Sequence, residues 1–136
     1  MPDVKTFFDT NVLLYLLSED ATKADRAEEL IANGAVISVQ VLNELAAVAS
    51  RKLGMSWSEI RDVLGPIHAV CEIEPITVEI HNGGVEIAER YGFSFHDATI
   101  VASALRAGCK TLYSEDLQDG QVIDNKLTIR NPFASH

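Results

Sequence analysis

The sequence has only two cysteines, Cys71 and Cys109, and neither sits in a CxxC pair or a Cys/His cluster. That spacing argues against a disulfide framework and against a zinc site. Both lie in apolar surroundings, beside Val70 and near Ala107, and read as buried free thiols. No apolar run approaches the roughly 18 residues of a membrane span. Met1-Pro2-Asp3-Val4-Lys5 lacks a basic segment followed by a long apolar stretch, so no secretory leader is read and a cytoplasmic protein is expected. No glycine-rich loop supports a P-loop. Basic charge is also scarce, with 11 Lys and Arg against 20 Asp and Glu and a net charge of −9. Non-specific nucleic-acid binders usually carry a basic stripe instead. A polyanionic substrate would need cations, or a basic partner, to bridge it to this chain.

What is present is ordinary globular composition, 47% hydrophobic and 23% charged, over 136 residues. This fits one domain spanning residues 1–136, with a core that needs no staples. Val4 to Phe8 reads as a buried strand and Asn11 to Leu17 as the start of a core helix. Thr22 is placed as the cap of a helix through Asn33, with Ala24, Ala27, Leu30 and Ile31 inward and Gly34 as its stop. Ala35 to Val39 is a second strand, followed by a helix over Val41 to Leu53 and Gly54. Ser56-Trp57-Ser58-Glu59 matches a capping box for a helix to Val70, with Gly65-Pro66 as a break or kink within it. Cys71 to Ile76 is a third strand. Thr77 caps a helix to Tyr91 before Gly92, which Gly83-Gly84 weakens by about 1 kcal/mol per glycine. His96 to Ala107 is a helix stopped by Gly108, and Lys110 to Tyr113 and Leu127 to Arg130 are the last strands. Alternating strands and helices predict an α/β sandwich around a mainly parallel sheet.

In such sheets, ligands bind at the carboxyl ends of the strands. Asp9 follows the first strand, and Ser114-Glu115-Asp116 follows Lys110 to Tyr113. Glu44 lies in the first turns of the helix after strand two, and Asp97 opens the helix after Phe93-Ser94-Phe95-His96. One rim can therefore carry all four acids. Unless cations bind there they repel, and hard oxygen donors suit Mg²⁺ or Mn²⁺. Each acid also has an ordinary structural role: Asp9 as a helix cap, Glu44 on a polar face, Asp97 at a helix dipole, Asp116 and Asp119 as turn residues beside Gly120. Those roles would all have to coincide on one rim. Asn11 and Ser114 stand beside Asp9 and Asp116 as supporting polar groups. His96 is given a supporting role, and His68, His81 and His136 have no metal-ligand spacing. Lys52, Arg51 and Arg106 are candidates for backbone contacts, against plain surface solvation.

Four segments carry a resemblance: Phe7-Phe8-Asp9-Thr10-Asn11-Val12-Leu13, Ser38-Val39-Gln40-Val41-Leu42-Asn43-Glu44, Phe95-His96-Asp97-Ala98-Thr99-Ile100-Val101-Ala102, and Leu112-Tyr113-Ser114-Glu115-Asp116-Leu117-Gln118-Asp119. In order and spacing the chain resembles the PIN-domain family, in particular the VapC-type toxins of bacterial toxin–antitoxin pairs. The resemblance implies a three-layer α/β/α domain with Mg²⁺- or Mn²⁺-dependent hydrolysis of RNA. It also implies a homodimer and inhibition by a cognate antitoxin. Asp9, Glu44 and Asp97 match its acidic positions. Asp116 and Asp119 both fit the fourth, with Asp116 ranked first, and Asn11 and Ser114 match supporting polar positions. The net acidity departs mildly from an RNA-cutting enzyme.

Two rivals stand beside this reading. A haloacid-dehalogenase-like phosphatase would use Asp9 as nucleophile and hold Mg²⁺ with Glu115 and Asp116. Its chemistry wants a second Asp two residues on, where this chain has Asn11, and it leaves Glu44 idle. The other rival is a catalytically silent PIN-like subunit acting through protein contacts.

Overall fold

The structure, a computed structural model, describes residues 5–134. Its elements in chain order are β1 (Thr6–Phe8), α1 (Thr10–Leu14), a 3₁₀ turn (Tyr15–Leu17), α2 (Ala21–Ala32), β2 (Ala35–Ser38) and α3 (Val39–Arg51). Then come α4 (Trp57–Val70), β3 (Cys71–Glu74), α5 (Val78–Tyr91), α6 (Phe95–Arg106), β4 (Thr111–Tyr113), β5 (Val122–Ile123) and β6 (Leu127–Arg130). The six strands form one sheet in the order β3-β2-β1-β4-β6-β5. Every pairing is parallel except β5 with β6.

The chain winds outward from β1 to β2 and β3, then crosses back to β4 on the other side of β1. Right-handed crossovers running in opposite directions put their helices on opposite faces, which gives the α/β/α layering. The reversal also opens a crevice at the carboxyl ends of β1 and β4. Central position accounts for composition. Phe7 and Phe8 of β1, Ile37 of β2 and Leu112 of β4 have no exposed surface, and α6 is buried from Ala98 to Ala104. Parallel strands covered on both faces read as continuous apolar runs, as Thr6–Phe8 and Ala35–Ser38 do.

Several boundaries move for identifiable reasons. Val4 lies outside the described residues, and β1 begins at Thr6. Helix α1 opens at Thr10, because Asp9 accepts its first N–H. The cap of α2 is Asp20 rather than Thr22: its carboxylate accepts from the N–H groups of Thr22 and Lys23. The capping box of Ser56 and Glu59 is present as read. Helix α4 nevertheless runs unbroken through Pro66, since buried Ile60 and Ile67 pin it on both sides of the proline. Gly84 is no defect in α5. A Cβ there would come within 2.6 Å of Thr99 Cγ2, so glycine permits the close approach of α5 to α6. Gly92 ends α5 in the left-handed conformation, at φ 74°.

Strand β5 was not foreseen. It is two residues long and turns into β6 through Asp124 and Asn125, both at positive φ. Arg90 and Tyr91 clamp that turn to the end of α5 through the Asp124 carboxylate, at 2.8 to 3.1 Å. The cysteines are free, but only Cys109 is buried, while Cys71 is half-exposed on β3. Burial pushes the Cys109 thiol up to about 12 and the Cys71 thiol up to about 11.

Candidate metal centre

Asp9 is set by the end of β1 and is only 2% exposed. Its Oδ1 accepts the Thr10 N–H at 2.7 Å, which is the cap of α1. Its Oδ2 accepts the Ser114 hydroxyl at 2.9 Å, reaching across from the end of β4. The capping role considered from the sequence is therefore real, but it uses one carboxylate oxygen and leaves the residue at the crevice. Ser114 has no exposed surface, and its oxygen also accepts the Asp116 N–H at 3.2 Å, so one hydroxyl fixes two acids. Asn11 Oδ1 accepts the Glu115 N–H at 3.3 Å and ties the β4 loop to α1. Asp97 sits in the first turn of α6, where the Ser94 side chain accepts its N–H at 3.2 Å.

Asp9, Asp97 and Asp116 thus come together from three separate parts of the chain. Each offers a carboxylate oxygen within 4.8 Å of the others, grading from buried Asp9 through half-exposed Asp97 to exposed Asp116. Burial pushes the Asp9 carboxyl up to about 6. The hydrogen bonds from Ser114 and Thr10 pull it down, while the charges of Asp97 and Asp116 add to the rise. Three hard oxygen donors around one point, one of them destabilised as a bare anion, fit a divalent cation.

Glu44, the fourth acid expected at the strand ends, is not among the three whose oxygens lie within 4.8 Å of one another and stands beside them. Its Oε2 accepts the Thr10 hydroxyl at 3.2 Å and faces His96 Nε2 at 2.9 Å. Glu44 is held beside the site by the neighbours of Asp9 and Asp97. Asp119 is not in the trio; its Oδ1 accepts the Asn131 N–H at 2.9 Å, and of the two candidates Asp116 is the one within it. His96 has the supporting place given to it, with Nδ1 hydrogen-bonded to the Gln40 amide at 2.9 Å. Gln40 itself was missed. It lies four residues before Glu44 on one helix face, and that spacing was the available signal. Its Oε1 meets the Thr99 hydroxyl at 2.9 Å.

The fold and the carboxylate trio define an α/β domain with an acidic, cation-suited centre at the switch point of its sheet. The family model that matches is the PIN domain, over residues 6–118. The chain belongs to the PIN-domain family. No curated protein sequence matches it. Among solved structures, it resembles a toxin–antitoxin complex from Klebsiella pneumoniae at 20% identity and a TM-score of 0.71, covering 94% of this chain and 98% of that one. It also resembles VapC20 of Mycobacterium tuberculosis, described as a sarcin–ricin-loop-cleaving toxin, at 22% identity and 0.66, covering 80% and 88%. VapBC2 of Rickettsia felis, bound to a DNA fragment from its promoter, matches at 20% and 0.66, covering 94% and 100%.

Proposed function

We propose that this chain is a metal-dependent ribonuclease acting as the toxin of a toxin–antitoxin pair, with Asp9, Asp97 and Asp116 as the metal-holding residues. The observation that carries the reading is the carboxylate trio, built at the sheet's switch point in a PIN domain. Mg²⁺ or Mn²⁺ bound there would supply Lewis acidity toward a phosphodiester and lower the pKa of water. The chain's own residues organise that centre. Ser114 orients Asp9 and the Asp116 backbone together, Asn11 holds the loop between them, and Ser94 fixes the turn carrying Asp97. Glu44 positions rather than ligates: through Thr10 and His96 it locks the residues adjoining Asp9 and Asp97. Asp116, the most exposed of the three, is the carboxylate best placed to take a proton from the attacking water.

Toxin–antitoxin neighbours support a protein antitoxin as partner. A homodimer is supported by an unpartnered apolar face. Val78 and Val85 lie two turns apart on α5 at 72% and 49% exposure, and His81 between them packs edge-on against exposed Phe95. No helix among the described residues is long and apolar enough to cross a membrane. The phosphatase rival loses its support to the PIN match. The test is cleavage of RNA by the purified chain with Mg²⁺ or Mn²⁺, against EDTA and against Asp116→Asn and Asp119→Asn. Metal-dependent cutting that Asp116→Asn abolishes and Asp119→Asn preserves is expected. Cutting unchanged in EDTA would overturn the reading, and no cutting under any condition would favour the silent subunit.

A further inference from the structure

A cavity of about 410 Å³ lies between α1, the 3₁₀ turn and the end of α3. Asn11 and Glu115, near neighbours in sequence of Asp9 and Asp116, line it together with Leu14, Leu53 and Lys52. Its size falls in the ~300–1,000 Å³ range of small-ligand clefts.

We infer that this cleft holds an unpaired nucleobase of the RNA, next to the phosphate addressed by the carboxylate trio, and so sets the enzyme's base preference. The inference rests on the ribonuclease reading.

Three observations favour that occupant. Asn11 Nδ2 is the one buried side-chain donor without a hydrogen-bond partner among the described residues, although Asn11 Oδ1 is engaged by Glu115 N–H. Such a group calls for an explanation, and a side-chain shift that presents it to an acceptor atom on a base edge supplies one. Glu115 lines the same cleft as Tyr15 and offers the complementary acceptor for a base amino or imino N–H. Finally, positive charge and aromatic surface gather at this flank of an otherwise acidic chain. The Lys23 amine hydrogen-bonds the Tyr15 hydroxyl at 3.3 Å and lies 4.8 Å from the Tyr15 ring centroid, and Tyr15 packs edge-on against Phe133 at 4.5 Å. Lysines for phosphate beside aromatic rings for bases are the elements with which single-stranded nucleic acid is gripped. Lys52 on one side and Lys23 on the other would bracket the backbone as the base turns inward.

The test uses a pool of short unstructured RNAs carrying all bases at every position, digested with Mg²⁺ or Mn²⁺, and the new ends are sequenced. Wild type should favour one base at a fixed position beside the cut. Leu53→Trp fills the exposed rim of the cleft and should flatten that preference by about tenfold, the scale of a small misfit in a binding pocket. Lys52→Ala should raise KM for all sequences alike and weaken the salt dependence, as loss of a phosphate contact does. Both positions are exposed, and an unchanged metal-induced rise in Tm verifies the fold. Cleavage by both variants with wild-type preference and KM overturns the cleft assignment alone. Absence of cleavage by wild type overturns the ribonuclease reading, and this inference with it.

Discussion

Replacing Asp9 by Asn should stabilise the metal-free protein at neutral pH, although it removes a residue held by two hydrogen bonds. The folded-state carboxyl is raised from 3.8 to about 6, so the folded protein binds that proton more tightly than the unfolded chain. A group raised in this way contributes stability that is present below its unfolded value and lost as pH climbs through its folded value. The window is therefore about pH 4 to pH 6, and the shift of about two units corresponds to about 3 kcal/mol. Asn carries no charge, so it escapes this loss. It keeps an oxygen for the Thr10 N–H but presents an amide to Ser114, whose oxygen already accepts the Asp116 N–H. Reorienting that hydroxyl costs about 1 kcal/mol. The expected result, from urea unfolding in EDTA, is a variant about 2 kcal/mol more stable than wild type at about pH 8 and no more stable at about pH 4. Excess Mg²⁺ should reverse the order by stabilising wild type alone. Parallel pH profiles for the two proteins, or a variant less stable at about pH 8, would refute the claim that Asp9 is a buried anion awaiting a cation.

Gly84→Ala should destabilise the protein by about 1–3 kcal/mol, because its Cβ meets Thr99 Cγ2 where α5 and α6 are closest. Thermal melts would measure this, and an unchanged Tm would show that the helices separate freely. Val85→Lys places a charge on the exposed face of α5 and should convert a dimer to a monomer by light scattering at about tens of micromolar. A wild-type monomer under those conditions would remove the dimer.

The layout of the sheet was legible because buried parallel strands write themselves as short apolar runs, each handing over to a helix at a polar residue. Asp9 and Asp116 could be placed at strand ends for that reason, and Asp97 at a helix start. What stayed hidden depends on contacts between distant segments. Glu44 sits at the right junction, and its contacts with Thr10 and His96, which depend on the packing of α3 against α1 and α6, could not be read from spacing. Asp20 outcompetes Thr22 as a cap because the chain reaches α2 from the 3₁₀ turn, a detail no periodicity carries. Gly83-Gly84 looked like a weakness because its benefit lies in a neighbouring helix. Strand β5 is too short for alternation to register, although Asp124-Asn125 before Leu127 to Arg130 is a turn signal.

The central claim is that the three carboxylates exist to hold a cation that cuts RNA. Asp97→Asn tests it most directly, because Asn serves a helix start nearly as well as Asp and the Ser94 cap bonds only the backbone of this residue. RNA cleavage and the Mg²⁺-induced rise in Tm are measured side by side on wild type and variant. The account predicts that the variant folds, with metal-free stability unchanged or improved, but cuts no RNA and loses most of the metal-induced rise. A variant that cuts RNA at the wild-type rate with the same metal-induced shift would contradict it.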